Sequence, residues 1–152
     1  MNDAITIREI SPADADAAAE LSGQLGYPVS SDAMKQRIEA AALSDRIVLV
    51  ACTPDRPHVV GWIDVSVVHH LQNEPYGEIG GLVVASDCRN LGIGQRLVAR
   101  AEEWIRGKDI TRIVVRSQIS REAAHRFYLR ERYTRWKTSA VFSKELNSTP
   151  GR

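Results

Sequence analysis

No apolar run in this sequence approaches the ~20 residues a membrane helix needs, and the N-terminus carries no apolar targeting segment. A soluble cytoplasmic protein with no membrane partner is therefore the expectation. Cysteine is scarce, with only Cys52 and Cys88. They could close one bridge at most, and nothing demands it; Cys52 sits in an apolar run and reads as a small core residue. Metal spacing is missing: there is no Cys-x-x-Cys, and His69 and His70 are adjacent without further ligands nearby. An excess of one charge is missing as well. A net charge of +1 removes bulk attraction to nucleic acid as a driving force, and no basic-aromatic stripe replaces it. Internal repeats and low-complexity tracts are also lacking. What is present is ordinary globular material, 152 residues with 43% hydrophobic and 26% charged. That is enough for one domain, expected over 1–146, burying about 70% of its unfolded surface. Residues 147–152 are expected to form a disordered tail.

Ile5, Ile7 and Ile10 with interleaved polar residues predict a first strand. Ser11-Pro12 opens a helix to about Leu25, with Ser11 as N-cap and Asp14 and Asp16 at its positive end. Gly26-Tyr27-Pro28 breaks it. Ser30 or Ser31 caps a second helix carrying Met34, Ile38 and Leu43. Ile47 to Cys52 reads as a buried strand, and Thr53 to Pro57 as a turn. Val59 to Val68 reads as a longer strand, with Gly61 its bulge or close-approach point. Leu71 to Pro75 reads as a polar connection. Ile79 to Val84 is a strand, Gln95 to Ile105 a helix, Ile113 to Val115 a strand, Arg121 to Arg130 a helix and Val141 to Leu146 a final strand. Strands clustered early favour an antiparallel meander, and the later strand–helix–strand units favour parallel pairing. The expected fold is α/β, a mixed antiparallel/parallel sheet flanked by helices.

The most informative stretch is Gly77 to Ile105. An apolar strand passes through Ala85-Ser86-Asp87-Cys88 into Arg89-Asn90-Leu91-Gly92-Ile93-Gly94, and an amphipathic helix follows at once. Bare backbone N–H groups at a helix N-terminus form an anion site, which implies a phosphorylated cofactor. A nucleotide P-loop needs Gly-Lys-Ser/Thr, whereas Gly94 is followed by Gln95-Arg96. A dinucleotide loop needs a third glycine where Leu97 stands.

The hexapeptide instead matches Q/R-x-x-G-x-G/A. Downstream, Ala124-His125-Arg126-Phe127-Tyr128 and then Tyr133 are similar to A-x-x-F-Y-x-x-x-G-F. On these motifs the chain resembles the Gcn5-related N-acetyltransferase (GNAT) family, over roughly Ile5 to Leu146, with the specific motifs within Glu78 to Tyr133. There are two departures. Arg121 replaces the asparagine often found three residues before the alanine, which bears on cofactor contacts. Arg132 replaces the glycine that usually ends the helix, which bears on its C-cap.

The resemblance implies the acyl-CoA N-acyltransferase fold and acetyl-CoA as acetyl donor, with a primary amine attacking directly in a ternary complex. It implies that backbone groups of Leu82, Val83 and Val84 hold the pantetheine arm as an added strand, one N–H facing the developing oxyanion. It places the pyrophosphate on Arg89, Asn90, Leu91, Gly92, Ile93, Gly94 and Gln95, where glycine permits close approach. Arg89 or Arg96 would add phosphate charge; a solvated role is equally open to each. Tyr128 matches the tyrosine that protonates the departing thiolate, and tyrosine is protonated at neutral pH. From spacing alone it would read as a core residue beside Phe127.

The amine must lose a proton, and Glu78 resembles the base glutamate of the histone acetyltransferase branch. It lies four residues before Leu82, which puts both side chains on one face of a regular strand; a bulge would break this. An exposed strand-end carboxylate is the other reading. His69, His70 or water are rival bases. The early helices and the segment near 69–76 would line an acceptor cleft, with Tyr27, Trp62 and Tyr76 as aromatic walls, Trp62 equally a core residue. A small-molecule amine or a protein amine would fit, and dimers are common in the family. A non-enzymatic acyl-CoA-binding or regulatory module, or a transferase for another acyl group, are the competing readings.

Overall fold

The computed structural model describes residues 4–147. The chain divides into two compact units, Met1–Arg116 and Ser117–Arg152. The first holds β1 (Thr6–Glu9), α1 (Ala15–Leu25), α2 (Ser31–Ala41), β2 (Arg46–Cys52), β3 (Gly61–His70), β4 (Asn73–Val84), α3 (Ile93–Arg106) and β5 (Ile113–Val115). The five strands form one sheet in the order β1-β2-β3-β4-β5. β1 to β4 pair antiparallel, and β4 and β5 pair parallel. This is the mixed sheet expected from the sequence.

Local chemistry sets the helix starts. The Ser30 side chain accepts from the Ala33 amide at 3.1 Å, so Ser30 is the N-cap of α2. Before α1, a short 3-10 turn at Pro12–Asp14 begins at Ser11. The Asp14 carboxylate accepts from the Ser11 amide at 2.9 Å and pairs with both terminal nitrogens of Arg8 at 2.8 and 2.9 Å. Arg8 holds that carboxyl below its ordinary range.

α3 carries the largest apolar stripe: Ile93, Leu97, Val98, Ala101 and Ile105 are all buried. It packs on β1 to β4, against a sheet face that includes the fully buried Ile63 and Val65. Each such aliphatic side chain stabilises the fold by roughly 1.5–3 kcal/mol, which makes this layer the main anchor of the sheet. α1 and α2 pack on the other face, where the indole N–H of Trp62 donates to the Ala18 carbonyl at 3.2 Å.

The structure differs from the sequence expectation in several places, and α2 ends at Ala41, short of the exposed Leu43. β4 is far longer than Ile79 to Val84: it begins at Asn73, and Leu71-Gln72 alone turn the β3–β4 hairpin. The bulge falls on β4 rather than at Gly61. Asp64 pairs with Gly81 and Val65 with Ile79, so Gly80 is the extra residue. Gly61 is a close-approach point, where a Cβ would lie 3.0 Å from the Val83 carbonyl oxygen. Val141 to Leu146 forms no strand; Val141, Phe142 and Leu146 are 86%, 92% and 85% exposed. A strand has no internal hydrogen bonds, so β-prone composition does not form one without a partner edge. The tail expected over 147–152 lies, beyond Asn147, outside the described residues.

The second unit contains α4 (Glu122–Arg130). Its end is closed by Arg132 in the left-handed region at φ 71. The Tyr133 amide returns to the Tyr128 carbonyl at 2.9 Å. This is the Schellman closure usually made with glycine.

Candidate active site

The site is built around β4. One edge of this strand pairs with β3 along most of its length. The other edge pairs with β5 only at Gly77, Glu78 and Ile79. From Gly80 to Val84 that edge meets no strand among the described residues, so its backbone groups can pair with an extended ligand. Leu82, Val83 and Val84, the three predicted donor-binding residues of the strand, lie on this stretch, with Val83 buried.

β4 leads directly into the glycine loop. A short 3-10 turn, Ser86–Cys88, is held from two sides: the Ser86 amide donates to the Gln24 side chain at 3.1 Å, and Asp87 pairs with Arg56 at 3.0 Å. Burial pushes the Cys88 thiol up, which keeps it protonated and chemically quiet. Asn90 and Gly92 are left-handed, at φ 66 and 82, and Gly92 is the N-cap of α3. The first intrahelical bond runs from the Arg96 amide to the Gly92 carbonyl at 3.1 Å. The amides of Ile93, Gly94 and Gln95 precede it and have no intrahelical acceptor, and the helix dipole adds positive potential there. Arg89, Asn90 and Leu91 are exposed beside them. The predicted pyrophosphate residues therefore do share one helix N-terminus. A diphosphate fits this donor set.

Glu78 is partly exposed, and the Arg116 Nε donates to its Oε1 at 3.2 Å. The bulge at Gly80 overturns the expectation that Glu78 and Leu82 share a face. Paired residues across a ladder share a face. Glu78 pairs with Ser66 and Leu82 with Ile63, and these two β3 residues point to opposite sides. Glu78 thus lies on the face of Trp62, Asp64 and Ser66, the side covered by α1. Asp64 on that face is held by Arg46 through two bonds of 2.7 and 2.8 Å.

Tyr128, in the second unit, packs edge-on against Phe127 and Tyr133 at centroid distances of 5.1 and 5.5 Å. Burial pushes its pKa up to about 12, with Arg121 pulling the other way. The phenol is a proton donor over the whole neutral range. His69 and His70 are exposed at the end of β3. Tyr76 is buried against His70 and is no open cleft wall, Trp62 is half-buried under α1, and Tyr27 is exposed. Among the described residues no group of three or more His, Cys, Asp or Glu could hold a metal ion. Sequence reasoning missed Arg116, Arg46 and Asp64. The only available signal for them was strand register, which single-sequence patterning does not provide.

Residues 15–132 match the acetyltransferase (GNAT) family. The chain is 37% identical over 116 residues to the aminoalkylphosphonate N-acetyltransferase of Salmonella typhimurium, covering 74% of this chain and 71% of that protein. It is 30% identical over 125 residues to an aminoglycoside N(6')-acetyltransferase type 1 of Stenotrophomonas maltophilia, covering 79% and 80%. The solved structure of AAC(6')-Iy, in complex with the bisubstrate analog CoA-S-monomethyl-acetylneamine, shares the fold with a TM-score of 0.80. That likeness has 16% identity and covers 93% of this chain and 99% of that one.

Proposed function

The chain belongs to the GNAT acetyltransferase family, and from that premise we propose that it moves the acetyl group of acetyl-CoA onto a primary amine by direct attack within a ternary complex. One observation carries this reading: a single short connection, 85–92, joins the open edge of β4 from Gly80 to Val84 to the bare amides at the N-terminus of α3. Leu82, Val83 and Val84 would bond the pantetheine arm through their backbones. Arg89 to Gln95 would receive the pyrophosphate. The bisubstrate complex of the AAC(6')-Iy neighbour supports coenzyme A as the carrier.

In the proposed reaction the amine nitrogen forms a bond to the thioester carbonyl carbon, and the carbon–sulfur bond then breaks. Glu78, directly or through a water, takes the ammonium proton. Tyr128 gives its phenolic proton to the thiolate and is restored by the second proton, which the attacking nitrogen sheds as the amide forms; a β4 backbone N–H stabilises the oxyanion between these events. The bulge does not disqualify Glu78, because the arm would lie along the strand edge, which belongs to neither face. The acceptors named for the two relatives, aminoglycosides and aminoalkylphosphonates, are both amines. A homodimer is the proposed assembly, since pairing of two copies would cover Val141, Phe142 and Leu146.

Two measurements test this. Acetyl-CoA at 100 times its dissociation constant should stabilise the protein by about 2.7 kcal/mol. No thermal shift at millimolar acetyl-CoA rejects the reading. A shift without release of free thiol, across a panel of primary amines, assigns a non-catalytic acyl-CoA-binding role instead. Competition with succinyl-CoA separates acetyl transfer from transfer of another acyl group.

A further inference from the structure

Glu78 and Arg116 form an ion pair where the β4–β5 ladder ends, beside the open edge of β4. Glu78 on β4 is level with Val114 on β5, and Ile79 with Val115, where the ladder ends. Arg116 is the next residue, on the same side of the sheet as Glu78, and it reaches back to the carboxylate through Nε at 3.2 Å. The bond is single, the Arg116 side chain is 53% exposed, and the guanidinium carries further donors beyond Nε. An exposed single-point pair of this kind is weak and easily exchanged.

The neighbouring charges point the same way. Asp64, the next carboxylate on this face, already has both oxygens engaged by Arg46. Farther along, β4 carries Glu74, and Arg112 precedes β5 with its guanidinium 5.9 Å from the centre of the Tyr76 ring. The two carboxylates nearest the bulge, Asp64 and Glu78, are thus each matched by an arginine. A site that draws in a polycation offers surplus carboxylates, and the two beside the bulge are both already paired.

Resting on the acetyl-transfer reading above, we infer that Glu78 and Arg116 together select a zwitterionic acceptor, a small primary amine bearing an oxyanion such as a carboxylate or phosphonate on a short alkyl chain. Its ammonium replaces Arg116 at the Glu78 carboxylate, and its oxyanion takes the freed guanidinium donors. One ion pair becomes two, and the amine is left beside the group that removes its proton. Planar guanidinium suits either oxyanion, so the two are separated by experiment.

The test compares kcat/KM at fixed saturating acetyl-CoA for propylamine, β-alanine, 2-aminoethylphosphonate and spermidine. The two zwitterions should exceed propylamine by about tenfold or more, one charge-assisted bond being worth that factor. Arg116→Gln should collapse the zwitterion-to-propylamine ratio toward one, and Arg116→Lys should retain part of it. The acetyl-CoA thermal shift of each variant verifies that it is folded. Wild-type preference for propylamine or spermidine overturns the inference and leaves acetyl transfer standing, as does an unchanged ratio in Arg116→Gln. Thermal stabilisation by acetyl-CoA with no thiol released by any amine defeats the transfer reading and this one with it. A larger rate with one of the two zwitterions identifies the oxyanion.

Discussion

The indole of Trp62 lies across Gly81, so close that a Cβ on that glycine would meet Cζ3 at 2.9 Å and Cη2 at 3.0 Å. The same ring donates to the Ala18 carbonyl and ties α1 to the sheet. Gly81→Ala must therefore displace the indole and cost that bond. Overpacking of this kind costs about 1–3 kcal/mol. Urea melts should show the loss; an unchanged midpoint would mean that Trp62 has room to move.

Gly92 occupies the left-handed region at φ 82 as the N-cap of α3. A Cβ there costs roughly 1–2 kcal/mol and crowds the bare amides. Gly92→Ala is expected to lower the melting temperature. It should also shrink the further shift produced by acetyl-CoA, which calorimetry with and without the cofactor can separate.

Tyr128 should matter for turnover far more than for binding. Tyr128→Phe removes the proton donor and is expected to lower kcat about a hundredfold or more, with the acetyl-CoA dissociation constant little changed. Equal kcat would take Tyr128 out of the mechanism. The wild-type pH profile should carry no alkaline limb from this residue below pH 11, because its pKa is raised to about 12 from 10.0. Stability follows the same shift. Between the unfolded and folded values the native state keeps a proton that the unfolded chain has lost, so this contribution, complete below pH 10, is lost as pH rises toward 12.

Arg132 closes α4 at φ 71, a conformation that disfavours any residue with a Cβ. Arg132→Gly keeps the 2.9 Å return bond from Tyr133 to Tyr128 and removes the strain. A gain of about 0.5–1 kcal/mol is expected, partly offset by glycine's greater freedom in the unfolded chain. A loss of stability would instead assign the Arg132 side chain a packing role.

Several features were legible in the sequence because they are local. Ser30 caps α2, Pro12 opens the first helical turn, and Gly92 and Gly94 mark the loop before α3, all through chemistry within a few residues. The hairpin at Leu71-Gln72 was hidden because neither residue is a typical turn former, and Leu71 is apolar although fully exposed. Of the two readings open for Gly61, close approach is the one realised; the bulge sits at Gly80, and the two glycines look alike until strand register is known. Arg116 was invisible as a partner of Glu78 because 38 residues separate them. The pairing of Asp64 with Arg46 and of Glu78 with Arg116 likewise follows from the register of β2, β3, β4 and β5. The final strand failed for a related reason: Val141 and Phe142 have strand-forming side chains, but propensity does not supply an edge.

The extra residue at Gly80 divides β4 into two segments with separate obligations. After it, Leu82 shares the face of Ile63 and is constrained by the packing of α3, while the strand edge stays open. Before it, Glu78 answers to Arg116 and to the opposite face. On the proposed reading, substitutions before the bulge would change the acceptor side without disturbing the strand edge that would hold the donor, so one inserted residue would let the scaffold change its acceptor and keep its acyl donor.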